Sequence, residues 1–227
     1  MAKIKFGMMM TDARGKLGGQ VFSKNRAGAY VRTKVTPSNP RTSTQMISRS
    51  ILGLLSASWS GLTDVQRRAW NSAVNDWQKT DVFGDSRKPT GKNLFTGLNK
   101  ELLQSGQSQL NLPPEKVIMP ELAELVPVID VSSDTLSLGI TTVPTDFVLQ
   151  VSATPQMTAG TSFIDDKLRV IAYAPAGAVA PANLFTAYTD KFGIPEAGSN
   201  IHVAVKLIAE TGQTGVRVSE KATVTDV

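Results

Sequence analysis

The chain has 227 residues, of which 41% are hydrophobic, and it contains no cysteine and a single histidine, His202. Without cysteine there are no disulfide staples or thiolate metal sites, and one histidine removes most zinc sites and every Ser-His-Asp arrangement not built on His202. The net charge of +5 is unevenly spread, with +9 over residues 1–50, +2 over 51–110 and −6 over 111–227, which makes the chain basic at its head and acidic at its tail.

No run of ~18 apolar residues is present for a membrane span, and Lys3 and Lys5 precede too short an apolar run for a signal peptide. The expectation is a protein without a membrane partner, made and kept, or assembled, in a cytosol. The hydrophobic fraction is enough for a real core, in one large domain or two smaller ones.

Residues 1–42 read as an extended basic arm. Residues 20–23 and 29–36 look like strands, with Lys24-Asn25-Arg26-Ala27-Gly28 as the turn of a hairpin. Along the second strand Tyr30, Arg32 and Lys34 share one face, and Ala29, Val31, Thr33 and Val35 the other. An isolated hairpin is marginal in water, and ordering a residue costs roughly 1–2 kcal/mol of backbone entropy, so this arm is expected to order only against a neighbour. Lys16, Lys24, Arg26, Tyr30, Arg32, Lys34 and Arg41 are its expected partner-binding residues. The plainer reading is a solvated basic tail.

Pro37 and Pro40 break the chain, and a helical unit is expected over residues 43–110. Thr42 with Gln45 suggests a capping box, followed at helical spacing by Ile47, Ile51, Leu54, Leu55 and Trp59, so this first helix should pack on the second. The second starts at Thr63, whose partner in another capping box is Gln66. Ala69, Trp70, Ala73, Val74 and Trp77 then fall on one face, a packing face on which each indole buries roughly 150–250 Å². Residues 80–92 form a loop expected to tuck Phe83 under the helices. Its Gly91-Lys92 pair lacks the spacing of a phosphate loop, since Gly84 lies too far upstream and Asn93 follows the lysine. A third helix is expected over residues 93–105, before Gly106.

After the proline-rich stretch 112–120 the composition turns strand-like, at residues 124–131, 135–141, 147–153, 168–174, 200–210 and 215–225, with 183–192 either another strand or a short helix. Such strands separated by turns suggest an antiparallel β-sandwich of immunoglobulin or fibronectin type over residues 111–227. The fold class is therefore α+β. His202 reads as an outward or edge position, and Asp165-Asp166 as a surface pair with no nucleophile or second base beside it. No cofactor, metal site or enzymatic activity is expected.

Three sets of residues carry a resemblance. They are the segment 18–32, with Gly18-Gly19-Gln20-Val21-Phe22 and Asn25-Arg26-Ala27-Gly28-Ala29-Tyr30, and the corner Pro37-Ser38-Asn39-Pro40-Arg41-Thr42. The third is the W-x-x-L-T-x-x-Q-R-x-x-W-N pattern from Trp59 to Asn71, together with Gly91-Lys92-Asn93-Leu94-Phe95. The set resembles a family of tailed-bacteriophage proteins, mostly uncharacterised and often encoded among virion genes, that continue into an immunoglobulin-like C-terminal region. The resemblance implies a virion protein assembled in the host cytoplasm. The leading expectation is an auxiliary or decoration protein on the capsid, with the major capsid protein among its partners and homo-oligomerisation left open. A head–tail connector or tail component is the alternative. A nonspecific DNA-binding protein, with Lys24, Arg26, Arg32 and Lys34 on phosphates, is disfavoured by the acidic C-terminal half.

Overall fold

The computed structural model describes residues 2–36, 38–122, 125–140, 145–158, 160–161, 163–175 and 183–226. Pro37 of the corner, the first residue of the strand expected at 124–131 and the last of that at 135–141 lie outside the described residues.

Thr63 and Gln66 form the expected capping box: the Thr63 N–H donates to Gln66 Oε1 at 2.9 Å and the Gln66 N–H to Thr63 Oγ1 at 3.3 Å. The helix so started, α2, spans Asp64–Ala73, shorter than the apolar spacing suggests. Beyond it the N–H groups of Asn75, Asp76 and Trp77 reach back three residues, and the Asn75 side chain donates to Ser72 O at 3.3 Å, the local competition that makes asparagine a poor helix interior. Trp77 therefore reaches the core from a turn, at 8% exposure.

The helix α1, Ser43–Gly61, and α2 both pack on α3, Gly91–Gln104, and Leu55 of α1 and Trp70 of α2 share one core cluster with its Leu94, Phe95 and Leu98. The centre of the unit is Phe95 of α3, with Trp70 edge-on at 5.4 Å and Trp59 tilted at 5.5 Å. Gly91 starts α3 where a Cβ would stand 2.3 Å from Asn71 Oδ1, so the Gly91-Lys92 pair serves a close helix approach. With 19 residues against 14, α1 is roughly 7 Å longer than α3 at 1.5 Å per residue. Its first turns stand clear of the core, which leaves Ile47 59% exposed, while Leu54, also expected in the core, is 53% exposed beside a core-facing side made by Ile51, Leu55 and Trp59. Phe83 is likewise not tucked under the helices but 45% exposed.

Ahead of the helices stand four short strands, β1 (Ala2–Ile4), β2 (Gly15–Leu17), β3 (Gln20–Asn25) and β4 (Gly28–Thr33). They form one antiparallel sheet in the order β1-β4-β3-β2, so the expected hairpin β3–β4 is the middle of a larger sheet. Between α2 and α3 a two-stranded ribbon, β5 (Lys79–Thr80) and β6 (Ser86–Arg87), closes the intervening loop.

The C-terminal strands β7 (Val128–Asp130), β8 (Thr135–Ser137), β9 (Phe147–Ala153), β10 (Arg169–Ala174), β11 (Asn200–Ala209) and β12 (Val218–Thr225) bond in the order β10-β9-β11-β12-β7-β8. Among the described residues this is one continuous bonding order, mixed in direction because β7 runs parallel to β12. Residues 183–192 resolve into a helix, α4 (Phe185–Phe192), whose Phe185 and Tyr188 join Ile201, Val203 and Val205 of β11 in the core on one face. The other face meets α3: Lys206 of β11 donates to Glu101 at 2.9 Å, and Leu98 O lies against Gly212. Both faces of β11 are thus covered, so His202 is half-buried on an interior strand and not at an edge.

The connection after α3 is held by side chains. Asn99, fully buried, donates to Leu110 O at 3.2 Å and accepts the Leu110 N–H at 2.7 Å, and Trp70 Nε1 donates to Asn111 O at 2.9 Å. Gln213 accepts the Val117 N–H at 2.5 Å and donates to Val117 O at 3.3 Å. Each satisfies backbone groups in a stretch with no ladder of its own.

Candidate interaction surface

The register of the N-terminal sheet decides which cations stand together, because residues directly opposite one another share a face. Lys16, Val21 and Arg32 form one row, and Lys3, Ser23 and Tyr30 the next row of the same face. Lys24 pairs with Ala29 and so stands on the opposite face, with Phe22 and Val31. Arg26 is in the β3–β4 turn, and Lys34 follows β4 with its N–H on Gly19 O at 2.7 Å. Arg41 lies away from the sheet, just before the Thr42 cap of α1, with a left-handed φ of 50°. The structure therefore brings Lys16, Tyr30 and Arg32 onto one face, puts Lys24 on the other and Arg26 and Lys34 just outside the strands, and leaves Arg41 out of the sheet.

Electrostatic pairing divides these basic residues further. Lys3 donates to Asp81, Lys5 lies 2.8 Å from Asp85 and 5.4 Å over the Phe83 ring, and Arg14 is 3.3 Å from Asp12. The hydrogen bond that Lys3 donates holds the Asp81 carboxyl below the usual carboxylate range, and the one that Lys5 donates to Asp85 raises the Lys5 ammonium. These contacts fasten the β1 edge to the β5–β6 loop, and nothing in the sequence pattern of Lys3 or Lys5 distinguished them from the other cations. Lys16, Lys24, Arg26, Arg32, Lys34 and Arg41 form no ion pair among the described residues.

The sheet also lacks a core of its own, since no described residue from 2 to 36 is buried and Leu17 is 71% exposed. A face of unpaired guanidinium and ammonium groups beside a phenol can neutralise an anionic surface, and it offers no group poised for acid–base work. Among the described residues there is no cluster of three or more His, Asp or Glu able to hold a metal ion, and no helix is long and apolar enough to cross a membrane. Comparison with protein-family models, with curated protein sequences and with solved structures returns no match.

Proposed function

We propose that the chain is a non-enzymatic structural protein of a bacteriophage virion, an auxiliary or decoration protein held on the capsid by its N-terminal sheet. The observation that carries this reading is the set of five cations, Lys16, Lys24, Arg26, Arg32 and Lys34, without ion-pair partners among the described residues, borne on and next to a sheet that buries none of its own side chains. Fixing each residue costs roughly 1–2 kcal/mol of backbone entropy, so a coreless sheet gains most when a second surface covers it. The resemblance of the motif set to tailed-phage proteins guides the choice of partner. The C-terminal order β10-β9-β11-β12 parallels the C′-C-F-G order of a variable-type immunoglobulin sheet, with the β7–β8 hairpin and α4 in place of a full second layer. We read that region as an immunoglobulin-like module displayed outward.

The test uses two exposed cations of one row. Lys16→Glu with Arg32→Glu should melt at the temperature of the parent and fail to co-purify with particles of the encoding phage, whereas the parent co-purifies and an antibody against it labels the shell. Label confined to the portal or tail would move the assignment to a connector or tail component. Incorporation of the double variant at the parent level would remove the basic face from attachment. Affinity for DNA that fell by roughly 10³ or more between about 50 and 200 mM salt would instead place these cations on phosphates.

A further inference from the structure

Lys79 of β5 stands directly opposite Arg87 of β6, a like-charge pair in a ribbon of two residues per strand. Such a pair works against the ribbon it belongs to, which asks what else holds it there. Both residues line a cleft of about 740 Å³ where the N-terminal sheet, the helical unit and the C-terminal sheet meet, and Lys116 of the connecting segment lines it with them. The carboxylates in its wall are already engaged, Asp81 by Lys3 and Glu101 by Lys206. Lys79, Arg87 and Lys116 form no ion pair among the described residues, so three positive charges in the cleft wall are left without a partner.

The backbone of the wall matters as much as its charge. Residues 77–82 line the cleft without a break, and among the described residues β5 has no sheet partner other than β6. In an antiparallel pair alternate residues turn their N–H and C=O away from the partner, so the outer edge of β5 can accept another extended chain. Nucleic acid fits less well, because the aromatic residue of the wall, Trp77, is 8% exposed and offers bases no face to stack on.

We infer that this cleft takes an extended acidic peptide segment of a partner protein, its main chain alongside β5 and its carboxylates on Lys79, Arg87 and Lys116. The inference is independent of what the basic face of the N-terminal sheet binds.

The probe is a capped octapeptide alternating glutamate with valine, compared by calorimetry and tryptophan fluorescence with the same peptide carrying glutamine for glutamate. The glutamate peptide should bind the full-length protein, and the glutamine peptide should bind about tenfold more weakly or worse. Lys79→Glu should weaken the glutamate peptide by a similar factor while the melting temperature stays level or rises, since Lys–Arg becomes Glu–Arg across the ribbon. Equal binding of the two peptides, no binding of either, or a fall in melting temperature with binding unchanged would overturn the inference. Tighter binding of a single-stranded oligonucleotide of the same charge, lost in Lys79→Glu, would overturn it in favour of nucleic acid.

Discussion

Gly212 is the residue whose replacement should do most to separate the helical unit from the C-terminal sheet. It sits in the turn after β11 with φ +76°, and a Cβ there would stand 2.4 Å from Leu98 O and 2.8 Å from Leu98 C. Two costs combine in Gly212→Ala. The left-handed backbone costs an L-residue roughly 1–2 kcal/mol. Restoring an ordinary contact of 3.4 Å or more requires the turn and α3 to part by about 1 Å, in a region that also holds the Lys206–Glu101 pair at 2.9 Å. Forced displacement of that kind costs typically about 1–3 kcal/mol, so the total is roughly 2–5 kcal/mol. At about 2–4 °C per kcal/mol for a chain of this size, the melting temperature should fall by roughly 4–20 °C. Two further glycines divide the effect. Gly198 has φ +79° and nothing within 4 Å of an added Cβ, so Gly198→Ala pays for backbone conformation alone. Gly91 has no such φ but a 2.3 Å clash with Asn71 Oδ1, so Gly91→Ala pays for the clash alone, relieved in part by turning the Asn71 side chain. The series is read by differential scanning calorimetry. If Gly212→Ala melted within about 2 °C of Gly198→Ala, the contact with Leu98 would not hold the two regions together and the reasoning would fail.

Trp70→Ala should cost about 3–5 kcal/mol, the range for emptying a buried aromatic site, because its ring is fully buried against Phe95 and its N–H fixes Asn111 O. Urea unfolding checks it, and a midpoint unchanged from the parent would mean that α2 does not bury this face. Burial pushes the Tyr188 phenol up to about 12. Stability is therefore fully present below the unfolded value near 10 and lost as pH rises towards the folded one, by about 1.4 kcal/mol per unit and roughly 2–3 kcal/mol at most. Tyr188→Phe should abolish that alkaline loss and match or exceed the parent at neutral pH, since the Tyr188 hydroxyl has no hydrogen-bond partner among the described residues. A parent and variant with parallel stability curves from pH 9 to 12 would refute this, to within about 1 kcal/mol.

What could be read from the chain follows the range of the interactions. The capping box at Thr63 spans three residues and the apolar runs of β9 and β11 span a strand, so the cap and the positions of these two strands stand in the sequence as they stand in the structure. The end of α2 does not, because the spacing of Val74 and Trp77 remains helical while Asn75 draws the backbone into turns. The strands β1 and β2 have three residues each, too few for a period, and exist through pairing with β4 and β3. Covering both faces of β11 depends on α3, about a hundred residues earlier in the chain, and leaves as its local trace only apolar residues on the strand's second face, Ala204 and Ile208.

Charge shows the same limit more sharply. Counted along the chain, the ten cations before residue 51 are equivalent, and their excess says only that the head is basic. Folding makes them unequal: Lys3, Lys5 and Arg14 acquire carboxylate partners, and the first two fasten the sheet edge to the β5–β6 loop. Two residues of that loop region, Asp81 and Asp85, carry the matching charges more than seventy positions downstream. The same ribbon presents Lys79 opposite Arg87, and among the described residues those two are left without an ion pair while the carboxylates beside them are neutralised. A cation with a partner inside the fold is spent on holding the fold, and one without is free to act on something else. Lys16, Arg32, Lys79, Arg87 and Lys116 are the exposed members of the second kind on which attachment and peptide capture turn, and charge reversal at each should change binding before it changes stability.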